Sequence, residues 1–124
     1  FAVLGLDVPN IIVLGHAHCG GIHAMIRGEE AEQKGCKFVQ GWVSILSSAH
    51  RRVLATMPDA TIEETQRACE RNAVLVSLEN LTTFPWIRER MAAKTLKLHG
   101  WFFDIETAQL EIYNSKVGHF ETVE

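Results

Sequence analysis

One stretch, Pro9-Asn-Ile-Ile-Val-Leu-Gly-His-Ala-His-Cys-Gly-Gly21, constrains the fold more than any other. Ile11 to Leu14 is an apolar run rich in β-branched residues, bounded by Pro9 and Gly15. Continuous hydrophobicity without alternation predicts a strand over 10–15 buried on both faces, as in a parallel sheet. Gly20-Gly21 then opens a predicted helix over 21–27 that stops at Gly28. In folds built this way, ligands sit where strands end and helices begin. Residues 15–21 are therefore the first place to look for chemistry.

The rest of the chain supplies the layers around that strand. Residues 29–37 are polar and read as a loop. From Phe38 the apolar positions fall at 38, 42, 45, 46, 49, 53 and 57, the spacing of an amphipathic helix that ends before Pro58. Thr61-Ile-Glu-Glu64 fits a capping box. The helix it starts carries Ile62, Cys69, Ala73 and Val76 on one stripe and runs to about Leu81. Pro85 suits the first turn of another short helix, over 86–93. Residues 97–105 and 109–113 read as a strand hairpin turning around Glu106-Thr-Ala108. The polar tail after Asn114 is expected to be loose. The predicted class is α/β: a central, mostly parallel sheet with an antiparallel edge strand, flanked by helices.

Composition narrows the function. The 124 residues are 47% hydrophobic, enough for the core of one domain. Twelve Lys and Arg against fifteen Asp and Glu leave a net charge of -3, with no basic excess for nucleic acid or an anionic membrane. No apolar run approaches the roughly 20 residues that span a bilayer. The three Cys, at 19, 36 and 69, cannot form a disulfide framework and suggest a reducing, cytoplasmic setting. The chain opens on Phe1, and residues 1–8 read as the last turns of a helix with Gly5 near its cap. An upstream segment is therefore expected, with residues 1–124 forming the later portion of a single domain.

His16 and Cys19 are two residues apart, a spacing that lets both converge on one ion from a tight turn. Imidazole and thiolate are good zinc ligands. A helix N-terminus favours the thiolate a metal needs. Two other readings of the turn stay open: a phosphate cradle, although no GxGxxG or GxxxxGK pattern is present, and a redox thiol, although no CxxC partner exists. His18, between the two candidate ligands, is expected to point away from them, to solvent or backbone. His23 shares a helix face with Cys19 and reads as a surface or supporting residue. His99 reads as a packed strand histidine and His50 as part of a solvated cluster with Arg51 and Arg52. Cys69 reads as a small buried hydrophobe and Cys36 as a surface thiol. Trp42, Trp86 and Trp101 read as core or interface anchors.

Residues 11–21 resemble the zinc-binding strand and turn of the β-class carbonic anhydrases. The resemblance continues through Glu70-Arg-Asn-Ala73, Ser77-Leu-Glu-Asn-Leu81, Phe84-Pro-Trp-Ile87, Lys97-Leu-His-Gly-Trp101 with Asp104-Ile, and 110–114. It implies an enzyme that interconverts carbon dioxide and bicarbonate through zinc-bound hydroxide, with one zinc per subunit. It also implies a homodimer or higher even oligomer. Of the family's three protein ligands, two Cys and one His, it maps His16 and Cys19 onto this chain. The other Cys belongs to an upstream C-x-D-x-R element, whose Asp and Arg sit beside the metal; the chain has no such element. Either an upstream segment of the same protein supplies it, or the protein is a catalytically degenerate homologue with a structural or zinc-binding role. An unrelated nucleotide-binding α/β domain is the third reading.

Overall fold

The computed structural model describes residues 1–28 and 41–124. A four-stranded mixed sheet runs in the order β1 (Asn10–His16), β2 (Lys97–Asp104), β3 (Gln109–Asn114) and β4 (His119–Thr122). β1 and β2 are parallel, with Ile11 beside Leu98 and Gly15 beside Phe102. β3 and β4 follow as antiparallel neighbours. The crossover from β1 to β2 contains α1 (Gly20–Arg27), a 3-10 turn (Ser44–Leu46), α2 (Ser47–Thr56), α3 (Ile62–Leu81) and α4 (Pro85–Ala92). This is the expected α/β architecture. The predicted loop over 29–37, the start of the helix predicted from Phe38, and Cys36 lie outside the described residues.

Local chemistry explains the helix ends. The Thr61 hydroxyl accepts from the Glu64 amide at 3.2 Å, and the Glu64 carboxylate accepts from the Thr61 amide at 2.8 Å. The capping box is thus complete. Met57 leaves the helical region at φ -132°, as the steric demand of Pro58 requires of the residue before it. Pro85 occupies the start of α4, where its missing N–H is no loss.

α3 is the organising helix. Its Cys69, Ala73, Val74 and Val76 are buried, together with Ile22 of α1, Val53 of α2 and Phe102 of β2. It lies close against the sheet because two strand positions facing it have no side chain. A Cβ on Gly15 would stand 2.6 Å from Val74 Cγ2, and one on Gly100 would stand 2.9 Å from Leu78 Cδ1. Arg71 clamps the helix to β3 through both Glu111 oxygens, at 2.8 and 2.7 Å, and lies 4.1 Å over the Phe102 ring.

Four expectations need correction. β1 is buried on one side only: Ile12 is 47% and Leu14 59% exposed, because α3 covers the opposite face and β1 stands at the sheet's edge. The tail is not loose. Gly118, at φ +79°, closes a turn in which its amide donates to the Asn114 carbonyl at 2.8 Å, and β4 follows with Phe120 packed on Tyr113. At the start of the chain the left-handed residue is Asp7, not Gly5, and Asp7 pairs with Arg90. Ile62 leaves the apolar stripe and is 61% exposed; Trp42, at 66% exposed, keeps the interface half of its reading.

The close approach of α3 gives a direct test. Gly15→Ala forces Val74 aside in a packed layer and is expected to cost about 1–3 kcal/mol of stability by denaturant titration.

Candidate metal centre

β1 carries the chain to His16, and the backbone then turns sharply. Ala17 is buried and its amide extends the parallel ladder to the Phe103 carbonyl at 2.9 Å. His18 takes φ +56°, a left-handed conformation uncommon for residues other than glycine. Cys19 is extended at φ -65°, ψ 114° and forms the N-cap of α1, with no cap bond from its own side chain. The thiol is therefore free for another use.

The same holds for one nitrogen of His16. Its Nδ1 lies 2.8 Å from the Ala17 carbonyl oxygen. A carbonyl only accepts, so Nδ1 carries the proton and Nε2 keeps its lone pair, the tautomer a metal-ligating imidazole requires. His16 and Cys19 line one cavity of about 410 Å³, walled on its apolar side by Leu14, Trp42, Ile45 and Val74. A Cβ on Gly21 would come within 3.8 Å of Cys19 Sγ and 3.3 Å of Val43, so glycine leaves the sulfur unobstructed. The two residues singled out by spacing are thus brought to the same space by the fold.

Beneath them lies a carboxylate that spacing did not reveal. Glu70 of α3 is 2% exposed. Its Oε1 accepts from the Cys19 amide at 2.8 Å and from Gln66 Nε2 at 3.0 Å. Its Oε2 pairs with Arg67 at 2.5 Å. Arg67 also reaches His18 Nδ1 at 2.5 Å, and His18 Nε2 meets Glu106 of the β2–β3 turn at 2.7 Å. His18 thus points away from the cavity and stays exposed as expected, and it also pairs with the side chains of Arg67 and Glu106 rather than with backbone. Glu106 is held in place because its amide donates to Asp104 Oδ1 at 2.9 Å, a bond that also lowers the Asp104 carboxyl below its ordinary range. The Gln66, Arg67 and Glu70 grouping was legible as three- and four-residue helix spacing. Its contact with Cys19, 51 residues away, was not.

The remaining candidates fall where ordinary chemistry puts them. His23 is exposed and bonds Gln66 at 3.0 Å. His99 is partly buried and meets Asn10 at 2.8 Å. Cys69 is fully buried, and its thiol is pushed up to about 11, first by burial and then by the Glu70 charge. Such a group is a poor thiolate and a poor ligand. Among the described residues, no three His, Cys, Asp or Glu side chains gather as a metal-holding set. His16 and Cys19 fit zinc in donor type and tautomer.

With the fold and this turn in place, comparison with known proteins defines the class. A sequence profile of the carbonic anhydrase family matches residues 1–110. The chain belongs to that family, in its β class. It is 34% identical over 111 residues to the mitochondrial β carbonic anhydrase 6 of Arabidopsis thaliana, an alignment covering 90% of this chain and 38% of that protein. The β-carbonic anhydrase CcaA superposes with a TM-score of 0.91 at 28% identity, over 99% of this chain and 55% of that one. One of two β-carbonic anhydrases described as tetrameric, from Sordaria macrospora, superposes with a TM-score of 0.73 at 25% identity, over 90% of this chain and 55% of that one. The chain thus spans between about a third and just over half of the length of these proteins.

The two described thiols are expected to separate chemically. Metal-free chain treated with iodoacetamide at about pH 8 should be alkylated at Cys19 and spared at Cys69, read by peptide mass spectrometry. Labelling of Cys69 before Cys19 in folded protein would contradict the burial described above.

Proposed function

We propose that the protein is a zinc-dependent carbonic anhydrase that interconverts carbon dioxide and bicarbonate, with His16 and Cys19 as two of its metal ligands. The observation that carries this reading is the convergence of an Nε2 lone pair and an uncapped thiol on one cavity at the end of β1. Membership of the β-carbonic anhydrase family supports it. Zinc, when bound, supplies a water whose pKa is lowered to around 7.

The chain's own residues have definable roles around that chemistry. The Ala17 carbonyl holds the His16 ring and its tautomer. The apolar wall of Leu14, Ile45 and Val74 suits a small, uncharged gas. The resemblance implies a third protein ligand and an Asp–Arg dyad, which in this reading an upstream segment of the same protein supplies. Residues 1–124 are, in this reading, the later portion of one domain. The bare apolar face of Ile12 and Leu14 supports a homodimer or higher even oligomer, with the Sordaria enzymes' tetrameric description in its favour. The unpaired Cys19 and Cys69 support a reducing compartment, in our reading the cytoplasm. Among the described residues, no helix is long and apolar enough to cross a membrane.

A second reading has one observation behind it: no third ligand joins the pair among the described residues. On that reading the protein is a degenerate homologue that holds zinc, or assembles, without catalysis.

Substitution distinguishes the ligand from the bystander. Cys19→Ser is expected to weaken zinc affinity by more than the roughly 10–100-fold that loss of a supporting hydrogen bond costs. Cys69→Ser is expected to leave affinity intact and cost about 1–3 kcal/mol of stability through a buried hydroxyl. Chelator competition and denaturant titration measure the two. In stopped-flow hydration, residues 1–124 alone should match free zinc at the same concentration, and a polypeptide of the relatives' full length should exceed it. Undiminished zinc binding by Cys19→Ser would overturn the assignment; tight zinc without hydration by the longer polypeptide would favour the second reading.

A further inference from the structure

Glu70 is the only buried charged residue among those described, and its carboxylate has no exposure at all. Placing a charge at that depth is costly unless each oxygen is satisfied. Both are, and the partner that helix α3 does not supply is the backbone amide of Cys19. That bond grips Cys19 from its N-terminal side. From the other side, the Cys19 carbonyl accepts the His23 amide at 2.9 Å as α1 begins. The two bonds fix the peptide planes on both sides of the Cys19 Cα, and so fix the direction of its Cβ and sulfur. The preceding residue is held as well, since Arg67 binds Glu70 and His18 together. The Arg67 guanidinium donates to His18 Nδ1, so His18 Nε2 carries the proton and donates to Glu106. A helix-stabilising Glu needs none of these contacts and would work equally well on the solvent face.

We propose that Glu70 is a positioning residue for Cys19: through the Cys19 amide it sets the direction in which the thiol enters the cavity, with Arg67 holding the carboxylate and, through His18, the neighbouring backbone. The proposal rests on the reading of Cys19 as a metal ligand, and its test separates the two.

Two double variants remove the same charges and differ only in the acceptor left under the Cys19 amide. E70Q/R67Q keeps an amide oxygen there; E70A/R67Q does not. Zinc affinity by chelator competition is expected to be about 10-fold or more weaker in E70A/R67Q than in E70Q/R67Q, since both lose the Arg67 contacts and only the second keeps an acceptor under the Cys19 amide. The cobalt-substituted forms should follow suit, with the thiolate-to-cobalt absorption band weaker in E70A/R67Q than in E70Q/R67Q. Alkylation of Cys69 reports the fold in each, because Cys69 is fully buried. If E70A/R67Q exposes Cys69, the deciding variant is E70D, which keeps the charge but withdraws it from the amide. E70D is then expected to lose affinity to the same extent. Equal affinities in the two double variants, or wild-type affinity in E70D, would overturn the proposal. If wild type fails to bind zinc or cobalt even in a polypeptide of the relatives' full length, the ligand reading falls and the metal-free chain still decides this one. Cys19 alkylation must then differ between E70A/R67Q and E70Q/R67Q, or between E70D and wild type if the former is unfolded; equal rates overturn it.

Discussion

The close contact between α3 and the first two strands is the constraint on which the rest depends. Gly15 and Gly100 face the helix, and the Val74 and Leu78 side chains occupy the space that any Cβ at those positions would need. Interiors packed to crystal-like density leave little room for adjustment. With α3 seated at this depth, Glu70 arrives directly beneath the turn after β1, and Val74 becomes a wall of the cavity. A helix held farther out would still cover the sheet, yet its carboxylate would fall short of the Cys19 amide. The glycine at the end of β1 is therefore as much a part of the site as the histidine that follows it.

Charge pairing keeps that helix from sliding or rotating. Arg71 binds both oxygens of Glu111 on β3 and stacks over Phe102, and the Glu111 hydrogen bonds are the main reason its pKa is raised. Bidentate pairs of this kind fix direction as well as distance. On the outer side of α3, Arg52 of α2 forms a second fork with Glu79, at 2.9 and 2.6 Å. That pair is exposed, so it contributes roughly a few tenths of a kcal/mol and mainly sets how α2 lies on α3. The Arg67–Glu70 pair is the opposite case. Removing one partner from a buried pair strands the other charge, at a cost of about 3–5 kcal/mol.

Much of this was legible in the residues. The capping box, the Pro85 helix start and the β2–β3 hairpin each rest on interactions within a few positions and form as read, and β1 forms where its apolar run placed it, although its ladder is to the distant β2. His16 and Cys19 were found because their spacing and their place after an apolar run both pointed to one turn. What escaped depends on distant parts of the chain meeting. Nothing in the vicinity of Glu70 announces an amide 51 residues away, and nothing near His18 announces Glu106. The fourth strand escaped for a different reason: His119-Phe-Glu-Thr122 is short and mostly polar, with Phe120, packed on Tyr113 and Phe102, its one large apolar side chain. The two-sided burial of β1 was an inference from hydrophobicity alone, and the side chains of Ile12 and Leu14 show where it exceeded the contacts made among the described residues.

That excess connects the sheet to the site. Ile12, Leu14 and His16 alternate along β1 on the face that α3 does not cover, and β1 is the outermost strand among those described. An apolar strand left at an edge is a template for further pairing, and proteins ordinarily cover or blunt such edges. The same strand delivers His16 to the cavity. On the zinc-binding reading proposed above, whatever covers Ile12 and Leu14 lies beside the strand that carries His16, so the cover of that face and the surroundings of the candidate ligand pair are linked. The two candidate donors are oriented from within the chain, the His16 ring by the Ala17 carbonyl and the Cys19 backbone by Glu70.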